Sequence, residues 1–350
     1  MYRHVKLLLI FTLLVSCRPF SPPPQESSES TASSVEQSIA TETIIPETSL
    51  PPTQNTTNPT SSLSTYEELA QLFDYDSQLP VSITDISVNQ EDGYTLHDIH
   101  YPSPKGGNVT AYLLVPDGTG PFAGIILMHG SSGSRTSLLP LARDLVPTGA
   151  VVLTIDGPAA RLENAGRGWI TFTPQDREEQ IQLIIDLRRG VDLLADHPSV
   201  DPSRLGYIGY SYGAAMGGLL AGVEHRIKAY GLMVGDGGLV SHFMEAGKPV
   251  GGFETIPAAS RERWLTAMEP IDSIHFIGHA SPSALFFQNA RLDTLVSEAD
   301  ALAYQAAGSE PKKVEWYNSG HGLPEQAFFD MVHWLEEQIG IEADQFNNSR

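Results

Sequence analysis

The stretch 206-GYIGYSYGAAMGG-218 places one serine, Ser211, between two tyrosines and two glycines. A short apolar run precedes the serine and a string of small residues follows it, which predicts a strand, a sharp turn and a helix. The Gly-x-Ser-x-Gly spacing is typical of a turn that presents a serine hydroxyl, because neighbouring backbone passes too close for side chains at the glycine positions. The stretch therefore predicts a nucleophilic serine, with a structural serine in a glycine-rich turn as the alternative.

The apolar segments around this stretch predict the fold class. Unbroken apolar runs at residues 123–130, 150–157 and 229–236 are typical of strands that are covered on both faces. Helical periodicity lies between the strands and is longest at residues 175–196. This alternation predicts a doubly wound, mostly parallel α/β sheet. Antiparallel strands are predicted before it, at residues 81–88, 95–101 and 109–116.

Charge and composition exclude one class of partner. The chain has 350 residues, an apolar fraction of 41% and a formal net charge of −21. This apolar fraction is ordinary for a protein that buries a core. Because Lys and Arg drive binding to phosphates, the negative charge argues against a nucleic-acid partner.

The N-terminal residues predict a targeting signal. The sequence MYRHVKLLLIFTLLVSC combines a basic start, an apolar run and a small residue before Cys17, the single cysteine of the chain. Residues 1–16 therefore predict a secretory signal peptide that is too short to span a membrane. The tetrad LVSC at positions 14–17 resembles the lipobox of bacterial lipoproteins, which implies lipid attachment at Cys17. The implied location is the cell envelope, outside the cytoplasmic membrane, in the periplasm or at the outer membrane; a plain cleaved signal is the alternative.

The remaining chain divides into a tether and a folded domain. More than half of the residues after Cys17 and up to residue 64 are Ser, Thr or Pro, so residues 17–64 predict a flexible tether. A single α/β domain is predicted at residues 65–342. Residues 237–282 interrupt the strand and helix pattern and predict a small insertion or cap, whose aromatic side chains either line a pocket or pack internally.

A serine nucleophile needs a base, and His321 is the candidate. Its loop, YNSGHGL, follows the predicted strand at residues 312–317, and glycines flank it on both sides. Of the other histidines, His197, His225 and His333 lie within or near the ends of predicted helices, and His242, His275 and His279 lie in the predicted insertion. We therefore predict His321 as the general base, with an ordinary loop histidine as the alternative.

The base needs an orienting carboxylate, for which Asp293 is the first candidate. Asp293 follows the predicted strand at residues 284–290 in the segment FFQNARLDTLV. The alternative role for Asp293 is an N-cap of the helix after it. Asp236, at the end of the preceding strand, is the competing candidate for the orienting carboxylate.

Negative charge that develops on a substrate oxygen needs two backbone N–H donors. We predict the N–H of Tyr212, directly after the serine, and the N–H of Ser131 in the segment LMHGSSGSR. His129 in the same segment is interpreted as holding the loop. The histidines do not cluster at metal-ligand spacing and no glycine-rich phosphate loop follows the first parallel strand, so neither a metal nor an organic cofactor is implied.

Together these residues carry a resemblance to a known family. The order Ser211, Asp293, His321, with the serine turn and the His-Gly loop, resembles the α/β-hydrolase family. The antiparallel strands and the segment FFQNARLDTLV are most similar to its dienelactone hydrolase and acyl-peptidase-like branches. The resemblance covers roughly residues 66–340, and this chain departs from dienelactone hydrolases in having serine where they have cysteine.

The resemblance implies the α/β-hydrolase fold and a serine hydrolase. The activity expected first is that of a carboxylesterase, which cleaves small-molecule esters with short acyl chains through an acyl-enzyme. An aminopeptidase or amidase would use the same triad. A catalytically inactive binding module at the cell surface is the alternative outside enzymes.

Overall fold

The computed structural model describes residues 65–348. Cys17, the predicted signal peptide at residues 1–16 and the predicted tether at residues 17–64 therefore lie outside the described residues. Strands and helices alternate along the described part of the chain. The strands are β1 Thr84–Glu91, β2 Tyr94–Pro102, β3 Asn108–Pro116, β4 Phe122–Met128, β5 Ala150–Ile155, β6 Val200–Tyr210, β7 Ala229–Met233, β8 Met244–Glu245, β9 Lys248–Pro249, β10 Ala284–Ala290 and β11 Lys312–Tyr317.

Within residues 65–348, nine of these strands form one sheet in the order β1-β2-β3-β5-β4-β6-β7-β10-β11. The pairs β1–β2, β2–β3 and β3–β5 are antiparallel. The strands from β5 to β11 in this order are parallel to one another. This mostly parallel sheet with antiparallel N-terminal strands confirms the predicted fold class.

Helices connect the parallel strands and cover the sheet. Short 3-10 turns supplement them, mainly in the loops after β5 and between β7 and β10. The helices are α1 Tyr66–Ala70, α2 Leu139–Leu145, α3 Gln175–Asp196, α4 Tyr212–Val223, α5 Leu239–Phe243, α6 Ala258–Met268, α7 Glu298–Ala307, α8 Glu325–Ile339 and α9 Ala343–Asn348. None of the helices in the described range is both long and apolar enough to cross a lipid bilayer.

The central strands are buried because helices pack on both faces of the sheet. In β4, Ile126 and Met128 point to the core that contains α3 and α4. The alternate residues Ile125 and Leu127 point to the core that contains α2 and α8. A strand covered in this way has no solvent-facing positions, which explains the unbroken apolar runs in the sequence.

The residues between β7 and β10, where the sequence predicts an insertion or cap, form a series of short elements. They comprise α5, the β8–β9 hairpin, α6 and several short 3-10 turns. Phe243, Phe253 and Trp264 are buried here, and their rings lie 4.9–6.2 Å apart. The Trp264 indole N–H also donates a hydrogen bond of 2.8 Å to Asp176 on α3. These aromatic residues therefore pack the insertion onto the domain.

The folded region continues beyond the predicted domain end at residue 342. Helix α9 follows directly and packs against α8, with Ala343 and Phe346 buried in the shared core. The sequence ADQFNN did not predict this helix, because only one of its residues, Phe346, has a large apolar side chain.

Helix α4 lies unusually close to the end of β4. A Cβ atom built on Gly213 would lie 2.2 Å from the backbone oxygen of Met128, a separation that real Cβ atoms do not show. The helix can therefore start beside β4 only because residue 213 has no side chain. The Tyr207 hydroxyl donates a 2.6 Å hydrogen bond to the Gly213 carbonyl from the other side.

We expect Gly213→Ala to destabilise the protein although alanine is the better helix former. The gain in helix propensity is about 1 kcal/mol, whereas forcing a methyl group into packed backbone costs about 3 kcal/mol. Denaturant unfolding should show a net decrease in the free energy of unfolding. Gly322→Ala is the matched control, because a Cβ at Gly322 would meet no atom within 4 Å; equal stability of the two variants would contradict the prediction.

Candidate active site

Ser211 lies at the turn between β6 and α4 in a strained backbone conformation. Its φ of 54° and ψ of −117° are unusual for a residue with a side chain. The surrounding backbone holds this geometry: the Ser211 N–H donates to the Met233 carbonyl at 2.8 Å, and the Ser211 carbonyl accepts from the N–H of Ala214 at 2.8 Å. The strained turn presents the hydroxyl at the carboxyl end of the sheet.

Both glycines of the Gly-x-Ser-x-Gly pattern are required by close backbone contacts. A Cβ on Gly209 would lie 2.2 Å from the Gly213 carbonyl oxygen. The loop after β4 approaches from the opposite side, where a Cβ on Gly130 would lie 3.3 Å from the Ser211 Cβ. The Gly130 backbone therefore packs directly against the serine.

His129 holds the loop after β4, as the sequence analysis interprets it. Its Nδ1 lies 2.7 Å from the carbonyl oxygen of Gly130, and its Nε2 accepts a 3.1 Å hydrogen bond from the N–H of Gly157. This pairing requires a neutral ring with the proton on Nδ1. Burial lowers the pKa of His129, which favours that neutral form.

The two backbone groups nominated as oxyanion donors border one region. Ser131 and Tyr212 line the same two cavities beside the serine turn. Tyr212 is the first residue of α4, so its N–H has no acceptor within the helix. Within residues 65–348 the Ser131 N–H donates no backbone hydrogen bond. Both groups are therefore available to a bound substrate.

His321 and Asp293 form a hydrogen-bonded pair. The His321 Nδ1 lies 2.8 Å from Oδ2 and 3.1 Å from Oδ1 of Asp293. The Asp293 side chain is 3% exposed and the His321 side chain is 19% exposed. An ionised carboxylate only accepts, so Nδ1 carries the proton and Nε2 is the nitrogen that remains for other partners.

The environment of Asp293 favours its charged form. Burial raises the pKa of its carboxyl, but the hydrogen bonds from His321 and from the N–H groups of Leu295 and Val296 outweigh burial and bring the pKa below its ordinary value. Asp293 is not the N-cap of α7, because the Ser297 hydroxyl accepts the capping hydrogen bond from Asp300. The alternative role considered from the sequence is therefore wrong.

The loop that carries His321 is tied to the serine turn. The Tyr210 hydroxyl donates a 2.5 Å hydrogen bond to the His321 carbonyl, and the two rings meet edge to face at 5.9 Å. Tyr210 directly precedes Ser211. In the described part of the chain no hydrogen bond joins the Ser211 hydroxyl to His321, so a proton transfer would require rotation of the Ser211 side chain or a movement of the imidazole.

Asp236, the competing candidate for the orienting carboxylate, is paired with a different histidine. Its Oδ2 lies 2.7 Å from Nδ1 of His242, on α5 of the insertion. Burial lowers the pKa of His242, but the hydrogen bond and negative charge of Asp236 outweigh burial and raise it overall. No role is predicted for His242 from the sequence. The one sequence signal for this pair is the short separation of six residues between His242 and Asp236.

Two adjoining cavities lie beside these residues. The larger, of about 270 Å³, is bordered by the loop after β4, by Trp169 and by the hydrogen-bonded pair of Arg167 and Glu179, whose atoms are 2.6 Å apart. The smaller, of about 30 Å³, is bordered by Ser211, Asp236 and His242. Four residues line both cavities: Ser131, Trp169, Tyr212 and Leu239.

The described residues contain no group of three or more His, Cys, Asp or Glu side chains that could hold a metal ion. The groups that lie around the serine turn are a hydroxyl, two imidazole–carboxylate pairs and backbone N–H donors.

Part of this chain is similar in sequence to known esterases. The sequence model of the FrsA-like esterase family matches residues 85–247, a range that includes Ser211 and ends before Asp293 and His321. Esterase FrsA from Enterobacter sp. (strain 638) is 28% identical over 136 residues, and the protein of the same name from Escherichia coli O157:H7 is 28% identical over 137 residues. These matches cover 38% and 39% of this chain but only 30% of each relative.

Solved structures match a larger part of the chain. An acetyl xylan esterase from Paenibacillus sp. R4 superposes with a TM-score of 0.64 at 18% identity, covering 78% of this chain and 92% of that one. Acetyl xylan esterase 1 from Thermoanaerobacterium sp. JW/SL YS485 has a TM-score of 0.64 at 15% identity, with 80% and 93% covered. The chain has the α/β-hydrolase fold. In this fold the serine turn, the loop after β4 and the His321–Asp293 pair all lie at the carboxyl ends of strands in the parallel part of the sheet.

We expect each imidazole–carboxylate pair to give its own low-field N–H signal in the proton NMR spectrum, because a proton shared with a carboxylate is strongly deshielded. Asp293→Ala should remove the His321 signal and leave that of His242. Asp236→Ala, the matched control, should remove the His242 signal alone. Loss of the same signal in both variants would contradict the pairing.

Proposed function

We propose that this chain hydrolyses carboxylic esters by a serine mechanism. The observation that carries the proposal is the placement of the strained Ser211 turn beside a loop that holds an Asp293-paired His321. A serine hydroxyl is a weak nucleophile by itself, and an oriented imidazole supplies the base that activates it. The matches to FrsA-like esterases over residues 85–247 support an ester substrate.

The proposed reaction has two steps that share the same groups. Ser211 Oγ attacks the acyl carbon while His321 Nε2 takes its proton, and the negative oxygen that forms is bound by the N–H groups of Ser131 and Tyr212. His321 then gives the proton to the departing alcohol, which leaves an acyl group on Ser211. Water, deprotonated by His321, attacks this acyl-enzyme, and the acid is released as the proton returns to Ser211.

Asp293 acts on His321 rather than on the substrate. Its hydrogen bond fixes the proton on Nδ1, which leaves Nε2 as the acceptor for the serine proton. The lowered pKa of Asp293 keeps its carboxyl ionised, so it also stabilises the imidazolium that forms. A Cβ atom added at Gly322 would meet no atom within 4 Å, and one added at Gly320 would meet only the Leu292 carbonyl oxygen, at 3.7 Å. We propose that this open space allows the loop to bring His321 towards Ser211.

The limited size of the larger cavity, and the polar groups in part of its wall, support a short acyl chain. Its volume is about 270 Å³, and its wall includes the Arg167–Glu179 pair and the Tyr212 side chain. Burial and the charges of Glu179 and Asp176 raise the pKa of Tyr212, so its hydroxyl stays neutral. A long alkyl chain would have to pass these polar groups and remove them from water, which is unfavourable.

We also propose that the mature protein carries a lipid on Cys17 and resides in the cell envelope. The support is the sequence of residues 1–17, which lies outside the described residues. The narrower resemblance to dienelactone hydrolases and acyl-peptidase-like enzymes stays a prediction.

Ser211→Ala is expected to lower kcat for p-nitrophenyl acetate by a factor on the order of 10⁵ to 10⁶, since the nucleophile is lost. Labelling by a fluorophosphonate probe should be lost as well. Ser203→Ala is the matched control, because Ser203 is exposed near the opposite end of the same strand. A folded wild-type protein that takes no label would instead support an inactive binding module.

Chain-length preference tests the proposed substrate class. We expect p-nitrophenyl acetate and butyrate to be turned over with a kcat/KM at least about tenfold above that of the palmitate ester, because the cavity excludes the long chain. Steady-state kinetics on a graded ester series measures this. Equal turnover of palmitate would refute the short-chain proposal, and faster cleavage of aminoacyl anilides than of p-nitrophenyl acetate would favour an amidase.

A further inference from the structure

His242 lines the same small cavity as the Ser211 nucleophile, whereas Arg167 lines the larger cavity. The smaller cavity brings His242 together with Ser211, Ser131 and Tyr212. Its volume of about 30 Å³ is enough for a group the size of a water molecule. A substrate bound on Ser211 would therefore place one small group beside this histidine.

The ring of His242 is held at one edge and open at the other. Nδ1 is bound to Asp236 at 2.7 Å, and the Asp236 side chain is itself 6% exposed. Within residues 65–348 the opposite nitrogen, Nε2, has no hydrogen-bond partner. The His242 side chain is 30% exposed, so Nε2 remains accessible to a ligand.

We infer that His242, oriented by Asp236, binds a neutral oxygen atom of the substrate through its Nε2–H. This inference rests on the proposed ester hydrolysis and names a feature of its substrate. The oxygen would be an ether, carbonyl or hydroxyl oxygen close to the scissile ester. His242 would thus be a binding residue that selects oxygen-bearing esters over esters with a plain hydrocarbon at the same position.

The charges around His242 indicate a neutral oxygen rather than an anion. Three carboxylates raise the pKa of His242: Asp236 in the loop after β7, Asp300 on α7 and Asp272 among the 3-10 turns of the insertion. The negative charge of Glu245 on β8 in turn raises the pKa of Asp300. Burial and the neighbouring Asp236 raise the pKa of Asp272 to about 7. A carboxylate or phosphate on the substrate would be repelled by these groups, whereas a neutral acceptor would not.

The donor character of Nε2 depends on pH. When His242 is neutral, its proton stays on Nδ1 towards Asp236 and Nε2 can only accept; when it is protonated, Nε2 donates. The hydrogen bond from His242 to Asp236 outweighs burial and raises its pKa above the ordinary 6.5, with Asp300 and Asp272 adding to the effect. The donor is therefore present below this raised pKa and is lost as the pH rises through it.

Two pairs of esters that differ by one ether oxygen test the inference. On the acyl side the pair is p-nitrophenyl methoxyacetate and p-nitrophenyl butyrate; on the alcohol side it is 2-methoxyethyl acetate and butyl acetate. For each pair we compare the two substrates by one ratio: kcat/KM for the ester with the ether oxygen divided by kcat/KM for the hydrocarbon ester. The two members of a pair differ in intrinsic reactivity, but this difference is the same for every variant, and the protonation of His321 affects both members alike. Both effects therefore cancel when the ratios are compared between variants and pH values.

We expect His242→Leu to lower at least one of these ratios about tenfold, which corresponds to about 1.4 kcal/mol. The wild-type ratio should fall as the pH rises through the pKa of His242. His242→Gln keeps a neutral N–H donor, so its ratio should lose the pH dependence. The wild-type pH series needs no variant, so it tests the inference even if His242→Leu fails to fold.

His275→Gln is the matched control, because His275 forms an exposed pair with Glu269 at 3.0 Å in the same insertion. Its ratios should equal those of the wild type. Ratios that stay constant with pH and in His242→Leu would overturn the inference while the wild type still hydrolyses the esters. A wild type that hydrolyses none of the four esters would instead overturn the proposed function.

Discussion

The close backbone contact between the start of α4 and the end of β4 is the constraint on which the rest of the site depends. Gly213 lies against the Met128 carbonyl, and Gly130 lies against Ser211, so two neighbouring strands end within one packed unit. This contact fixes the serine relative to the loop that contains Ser131. The strained backbone of Ser211 persists because hydrogen bonds on both sides hold it.

The site contains two imidazole–carboxylate pairs, to which we assign different roles. His321 is paired with Asp293 on a loop between two glycines, and we propose that its imidazole transfers protons. His242 is paired with Asp236 on a helix of the insertion, and we infer that its imidazole binds substrate. In both pairs the carboxylate holds Nδ1 and thereby orients the ring, so that Nε2 is the nitrogen that faces away from the carboxylate.

Most of the fold was predictable because the central parallel strands are buried on both faces and therefore appear as apolar runs. The serine turn was predictable because its glycines are a local requirement. The His242–Asp236 pair was not predicted, since its position depends on how the insertion packs through Phe243, Phe253 and Trp264. Helix α9 was missed because a short polar helix has no periodic apolar face, and its burial depends on contacts with α8.

The sequence by itself determined the strand and helix order, the turn at Ser211 and the position of candidate groups at strand ends, because these follow from local patterning and backbone geometry. Only the tertiary structure decided which carboxylate meets which histidine. Asp236 and Asp293 both follow parallel strands, and residue type does not distinguish them. The partner of each was decided by tertiary packing. Although β7 and β10 lie side by side, α5 brings His242 to Asp236 and the loop after β11 brings His321 to Asp293.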